Sequence, residues 1–228
     1  LMIFGQGAIR CHPYLLQEME AATNPDKEAG VKELDALLPK HFLFQVKTFC
    51  RAMFHGWTGG LFASSPKGVG EAAKYYRQMN RYSAVLTLVT EISLMSLGGE
   101  LKRKELISAR LGDVLSELYL MSATLKRFRD DGSPAEDRPL LEFAMRAGFH
   151  NIEVSLIEVF HNFPIRFVGQ LMHFLTMPWG HSIRAASDRQ ARACANLIMV
   201  PSETRDRLTK GVFPGNPGDG VDIVEQAF

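Results

Sequence analysis

105-ELISARLGDVLSELYLMSATLKRF-128 carries the cleanest periodicity in the chain. Ile107, Leu111, Val114, Leu118, Met121, Leu125 and Phe128 recur in steps of four and three, which puts them on one side of an α-helix through three heptads. So narrow an apolar seam has to be covered by a neighbour lying nearly antiparallel to it. Just upstream, Gly98 and Gly99 end an apolar helix of about residues 71–97, because glycine enters the left-handed conformation without steric cost. The two segments are therefore expected to form a helical hairpin.

Helical spacing continues in both directions, and no alternation of β-branched residues is long enough for a strand. A first helix runs to about Ala22, kinked or restarted at Pro13. The stretch 23-TNPDKEAG-30 reads as a loop, a second helix runs from about Glu33 to just before 56-GWTGG-60, and 63-ASSPKGVG-70 links it to the helix that ends at Leu97. Beyond the quoted helix, 129-RDDGSPAEDRP-139 breaks the pattern, and a fifth helix spans about Leu140 to Phe163 before Pro164. Short polar helices follow near 188–199 and 202–210, then the loop 211-GVFPGNPGDG-220 and a final turn. The fold class is all-α: a helical bundle with antiparallel helix hairpins and a loop-rich C-terminal tail.

At 228 residues and 46% hydrophobic content the chain can bury a sizeable core. Lys and Arg number 26 against 25 Asp and Glu, so no net field draws it to nucleic acid or to an anionic bilayer, and any such contact has to be local. Cys11, Cys50 and Cys194 are odd in number and widely spaced, which suggests neither a disulfide framework nor a zinc ribbon and fits a reducing cytoplasm. The most apolar stretches, 82–99 and 167–183, are interrupted by Glu91 and by Gln, His, Gly and Pro, so spanning a bilayer is not expected. The terminus 1-LMIF-4 lacks both an initiator Met and a capping residue, and is expected to continue a helix of a longer polypeptide.

Residue types capable of chemistry are present, each with an ordinary structural reading beside the functional one. The 5-GQG-7 fragment lacks the third glycine and the strand of a dinucleotide fingerprint. Glu158 and His161 share a helical face, as in di-iron bundles, but no second Glu-x-x-His accompanies them. Arg110, Asp113 and Glu117 read as a salt-bridge ladder before they read as an acid–base set. Glu91 interrupts the most apolar helix and calls for a cationic or hydrogen-bonding partner from another helix. The basic run 101-LKRKE-105 reads as solvated surface, and adjacent Cys11 and His12 have no metal-ligand spacing. No catalytic, cofactor-binding or metal residue is assigned.

The opening 1-LMIFGQGAIRCHPYLLQEM-19, the block 81-RYSAVLTLVTEISLMSLGGELKRKELISARLGDVLSELYLMSATLKRF-128 and 162-NFPIRFVGQLMHFLTMPWG-180 resemble the C-terminal part of the large bacterial acyl-CoA dehydrogenases of the FadE type, over nearly the whole chain. The resemblance implies a parent that carries out FAD-dependent α,β-dehydrogenation of fatty acyl-CoA, the first step of β-oxidation. In that family a glutamate in a VEG-like motif, shortly before the opening segment, removes the α-proton while the β-hydrogen leaves as hydride to flavin N5. No VEG occurs in this sequence. Residues 1–22 then correspond to the tail of the dehydrogenase helical domain, and 23–228 to a bacterial-type C-terminal helical extension. The expected partners are the upstream dehydrogenase domains, the fatty acyl-CoA substrate and an electron acceptor, with FAD held by the parent and not by this part alone, and with no nucleic acid. The part itself is expected to be structural and inactive. The alternative is a docking module that reaches a membrane or partner through 163–183, in a protein that is cytoplasmic or peripheral at the inner membrane. A homodimer is left open, and an independent helical enzyme using Glu91 or the Asp113 and Glu117 pair is the third class. For 163–183, burial against protein is the favoured fate over a membrane interface.

Overall fold

Asp26 sets the start of the longest helix: its carboxylate accepts hydrogen bonds from the Glu28 and Ala29 amides at 3.0 and 3.2 Å, satisfying donors that have no partner inside the helix. In this computed structural model, which describes residues 7, 10, 12–213 and 215–227, the elements are α1 (Leu15–Ala22), α2 (Lys27–Trp57), α3 (Ala73–Leu97), α4 (Glu105–Asp130), α5 (Arg138–His161), α6 (Arg166–Thr176), α7 (Asp188–Met199), α8 (Glu203–Thr209) and α9 (Gly220–Gln226). No strand occurs among the described residues. Gly5, Gln6 and Cys11 lie outside them.

The sequence reading places most of these elements within a few residues, but it assigns no helix to α6, and α2 needs a larger correction. α2 begins six residues before Glu33, because Asp26 caps it, and 27-KEAG-30 is helix where a loop was expected. Pro39 lies inside α2 without ending it. Gly98, with φ of +49°, closes α3 as predicted, and a 3₁₀ turn over 98–102 leads into α4.

The seam of α4 is buried at Ile107, Leu111, Val114, Met121 and Leu125, with Leu118 and Phe128 packed at its margin. Its principal neighbour is α5, while α3, joined to it by the short turn, touches it less extensively. The hairpin expected between α3 and α4 is therefore the lesser partnership. Gly148 on α5 explains the preference: a Cβ there would stand 2.7 Å from the Met121 sulfur, so its absence lets α4 and α5 approach closely. Tyr82, Val85 and Val89 of α3, the α4 seam, and Met145, Ile152 and Leu156 of α5 form one continuous core, closed at one end by Met172 and Met177. The segment 70–101 is long and apolar enough to cross a bilayer by length and composition, yet its Tyr82, Val85 and Val89 are core residues.

α2 lies outside this trio, touching α3 through Ala52, Ala84 and Leu88. It meets α6 at Gly56, where an added Cβ would stand 2.3 Å from the Thr176 carbonyl oxygen. Gly56→Ala and Gly148→Ala should consequently separate. Both gain up to about 1 kcal/mol of helix propensity, but at Gly148 the obstacle is a flexible thioether, whereas at Gly56 it is backbone. Chemical denaturation should find Gly56→Ala destabilised by about 1–3 kcal/mol and Gly148→Ala by clearly less; equal losses would contradict this packing.

Candidate functional site

Among the described residues three carboxylates are buried, and each holds a segment that comes from outside the central helices. The first is Glu91 on α3, 4% exposed. Its Oε1 lies 2.6 Å from His12 Nε2 and its Oε2 lies 3.5 Å from His41 Nε2 of α2. His41 Nδ1 in turn meets Glu18 Oε1 at 2.7 Å, and Tyr14 stacks on the His41 ring with centroids 5.6 Å apart. This cluster joins the segment 12–22 to α2 and α3. Glu91 thus has partners from outside its own helix, as its position requires, and they are imidazoles.

His12, His41 and Glu91 offer ligand atoms within 4.8 Å of one another, the composition of a two-histidine, one-carboxylate metal set. Proton placement argues against that use. The Tyr14 and Leu15 amides donate to His12 Nδ1 at 3.1 and 2.9 Å, so Nδ1 holds a lone pair and the neutral ring carries its proton on Nε2. A ligating nitrogen needs the reverse, with the outer nitrogen as donor. His41 has that arrangement through Glu18; His12 does not. His12 Nε2 is buried and points off the line to the Glu91 oxygen, so the contact is an electrostatic one at short range. The cluster is a structural joint, and its donor set does not fit a metal ion.

Glu153 of α5, fully buried, is the second carboxylate. Tyr82 Oη donates to its Oε1 at 2.7 Å, the Ser182 hydroxyl donates to the same oxygen, and the Ser182 and Ile183 amides donate to Oε2, each at 2.9 Å. The loop after α6 is thereby fixed to the core. Burial pushes the Tyr82 phenol well above its ordinary value, an effect opposed by Arg81 and reinforced by the neighbouring Glu153 charge. Asp137 is the third: it accepts from Thr204 Oγ1 at 2.8 Å and from the Arg207 guanidinium at 2.6 Å, pinning α8.

The remaining sequence candidates are dispersed. Arg110 donates to Glu158 Oε2 across to α5 at 2.8 Å, and Glu117 accepts from Asn151 Nδ2 at 2.8 Å, so the expected ladder along one helix is instead a set of bonds between α4 and α5. Asp113 is exposed. His161 faces His173 and makes no set with Glu158. In the basic run, Leu101 is buried and Arg103 pairs with Glu100 at the surface. Cys50 is exposed, and burial raises the Cys194 thiol, which lies 3.3 Å from the Pro139 carbonyl. The segment 163–183 divides in two: Phe163, Met172 and Met177 are core, while Phe167, Phe174 and Trp179 are exposed. Its expected burial therefore holds for only one face.

With this geometry established, comparison with known families is decisive. A family model described as acyl-CoA dehydrogenase, C-terminal, bacterial type matches residues 9–228. The chain belongs to that family. No solved structure matches it. Acyl-CoA dehydrogenases generally use FAD, and two grooves, one beside α6 and one around Gly68, do not suit its pyrophosphate. A groove of about 800 Å³ beside α6 is lined by Asn162, Arg166 and Phe174 among others. Its glycine, Gly169, is consumed by helix packing, since a Cβ there would stand 2.2 Å from the Phe160 carbonyl oxygen. In the groove around Gly68 and Gly70, Lys74 and Arg138 face Glu142 and Glu71, which neutralise the charge a pyrophosphate would need.

Sequence reasoning did not single out Glu153 or Asp137. Glu153 carries the same signal as Glu91, a lone carboxylate between Ile152, Val154 and Leu156. In this acyl-CoA dehydrogenase domain, Tyr82→Phe tests the Glu153 cluster through pH. The Tyr82 pKa is raised on folding, so its contribution is complete below the unfolded value of 10.0 and is lost as pH rises above it. Urea unfolding at pH 7 should find Tyr82→Phe less stable by about 1–3 kcal/mol, the loss expected for a hydrogen bond to a charged acceptor. The gap should narrow at pH 11, and a constant gap would contradict the assignment.

Proposed function

We propose that the chain is the C-terminal part of an FAD-dependent acyl-CoA dehydrogenase of the FadE type, acting in the first step of fatty acid β-oxidation. Residues 23–228 serve there as a helical scaffold that holds the tail of the catalytic helical domain, residues 1–22. The observation that carries this reading is the buried joint of His12 and Glu18 against His41 and Glu91. Such a joint fixes α1 and residues 12–14 against the bundle. Beside it, Leu16 and Met19 stay exposed on α1, an apolar surface suited to being covered by the catalytic domain.

Chemistry supports a scaffold over an independent enzyme. A base that removes a substrate proton has to reach the substrate. Glu91 is sealed inside against His12 and His41, Glu153 is sealed inside with four donors, and Glu117 is engaged with Asn151. In the parent, bound FAD supplies the hydride acceptor; this part contributes position.

The 228-residue chain should purify colourless after FAD addition and give no acyl-CoA-dependent dye reduction. In the parent enzyme, Glu91→Gln should lower the melting temperature by several degrees while kcat changes less than about threefold, because it loosens a joint and removes no reacting group. Stoichiometric flavin with turnover in the chain alone would overturn the reading, as would Glu91→Gln abolishing turnover at an unchanged melting temperature.

A further inference from the structure

The end of α2, the loop after it and α6 expose one continuous aromatic face. Trp57 meets Phe174 with ring centroids 5.3 Å apart and Trp179 at 6.4 Å, and the Trp179 indole N–H donates to the Trp57 carbonyl at 3.3 Å. Phe54, one turn before Trp57, meets Phe62 at 5.7 Å, and Phe167 lies two turns before Phe174 on α6. Phe62, Phe167 and Trp179 are 71%, 72% and 67% exposed. Rings this large, gathered on one surface, are uncommon unless the surface is used.

The segments that carry the face, with the stretch of α2 leading into it, contain charges of one sign. Residues 36–70 and 159–187, which build it, contain Lys40, Lys47, Arg51, Lys67, Arg166 and Arg184 and no Asp or Glu; all 25 acidic residues and the other 20 of the 26 basic ones lie elsewhere. The six cations are exposed, and among the described residues none pairs with a carboxylate. Elsewhere acids and bases are interspersed, and Lys74, Arg110, Arg138 and Arg207 have acidic partners. Lys47, Arg51 and Phe54 follow i, i+4 and i+7, so cation and ring share one side of α2. A net charge of +1 hides this segregation.

We propose that this face docks the protein on an anionic phospholipid surface, with the rings of α2 and α6 entering the headgroup boundary and the six cations resting on lipid phosphates. Trp and Phe favour that boundary, and basic residues near it add attraction to anionic lipid. A protein partner would have to set a carboxylate against each of these cations to match the face as well, whereas an anionic bilayer presents phosphates over its whole surface. The inference goes beyond the scaffold reading and does not depend on the flavin chemistry.

The test uses the full parent polypeptide with vesicles of phosphatidylglycerol and phosphatidylethanolamine, against vesicles of phosphatidylcholine alone, read by flotation. Binding is expected to the anionic vesicles and to weaken with salt. Phe62→Ser with Phe167→Ser, and separately Lys47→Glu with Arg51→Glu, should each lower the partition coefficient at least about tenfold. Tyr119→Ser, an exposed aromatic on α4 outside the face, should leave it unchanged. All these side chains are exposed, so circular dichroism and melting temperature should stay at the parent's values for every variant. No flotation with either vesicle would overturn the proposal, as would flotation indifferent to the face variants. A face covered by the dehydrogenase domains or by a second copy would appear as absent flotation, with lowered stability or altered oligomeric state in the variants, and overturns it equally.

Discussion

A carboxylate taken out of water must find its donors inside the protein, and Glu153 finds four: the Tyr82 phenol, the Ser182 hydroxyl, and the Ser182 and Ile183 amides. The requirement acts in both directions. The charge is tolerable only because the loop after α6 delivers two amides to it, and that loop is held in place only because the charge is there. Left unpaired, such a group would cost several kcal/mol or give up its charge. Asp137 holds α8 in the same way, and at Glu91 a short electrostatic contact with His12 holds the segment before α1. Apolar packing accounts for α3, α4 and α5; buried acids determine where the peripheral segments attach.

Attachment has consequences at the surface. Met177, fully buried, and Ser182, bonded to Glu153, bracket Trp179, so the indole is presented from a loop fixed at both ends. On the other side, Gly56 lets α2 close onto the last turn of α6, which brings Trp57 alongside Phe174 and Trp179. The aromatic face is thus a product of core constraints, assembled from segments more than a hundred residues apart.

Most of the bundle was legible in the sequence because helical periodicity is a local property. The α4 seam, the glycine stop at 98 and the helix ends before Pro164 all follow from neighbouring residues. What escaped is non-local. Which helix covers the α4 seam depends on Gly148, a residue that looks merely unfavourable for a helix until its neighbour Met121 is known. The early start of α2 was legible in principle from Asp26 but was masked by the Asn-Pro-Asp sequence that usually marks a turn. Glu91 stood out because it interrupts an apolar helix, whereas its partners His12 and His41 lie 79 and 50 positions away and could not be paired with it from spacing. The division of 163–183 into core and exposed faces likewise depends on where α2 and α5 lie.

Hydrogen exchange at single amides addresses most directly the idea that Glu153 clamps the periphery to the core. The Ser182 and Ile183 amides sit in a loop, and ordinary loop amides exchange at the fast end of the range. Because both donate to a buried carboxylate, their protection should approach that of α4 and α5 core amides in the native protein and fall to loop values in Glu153→Gln. Exchange of these two amides at loop rates in the unmodified protein would contradict the account.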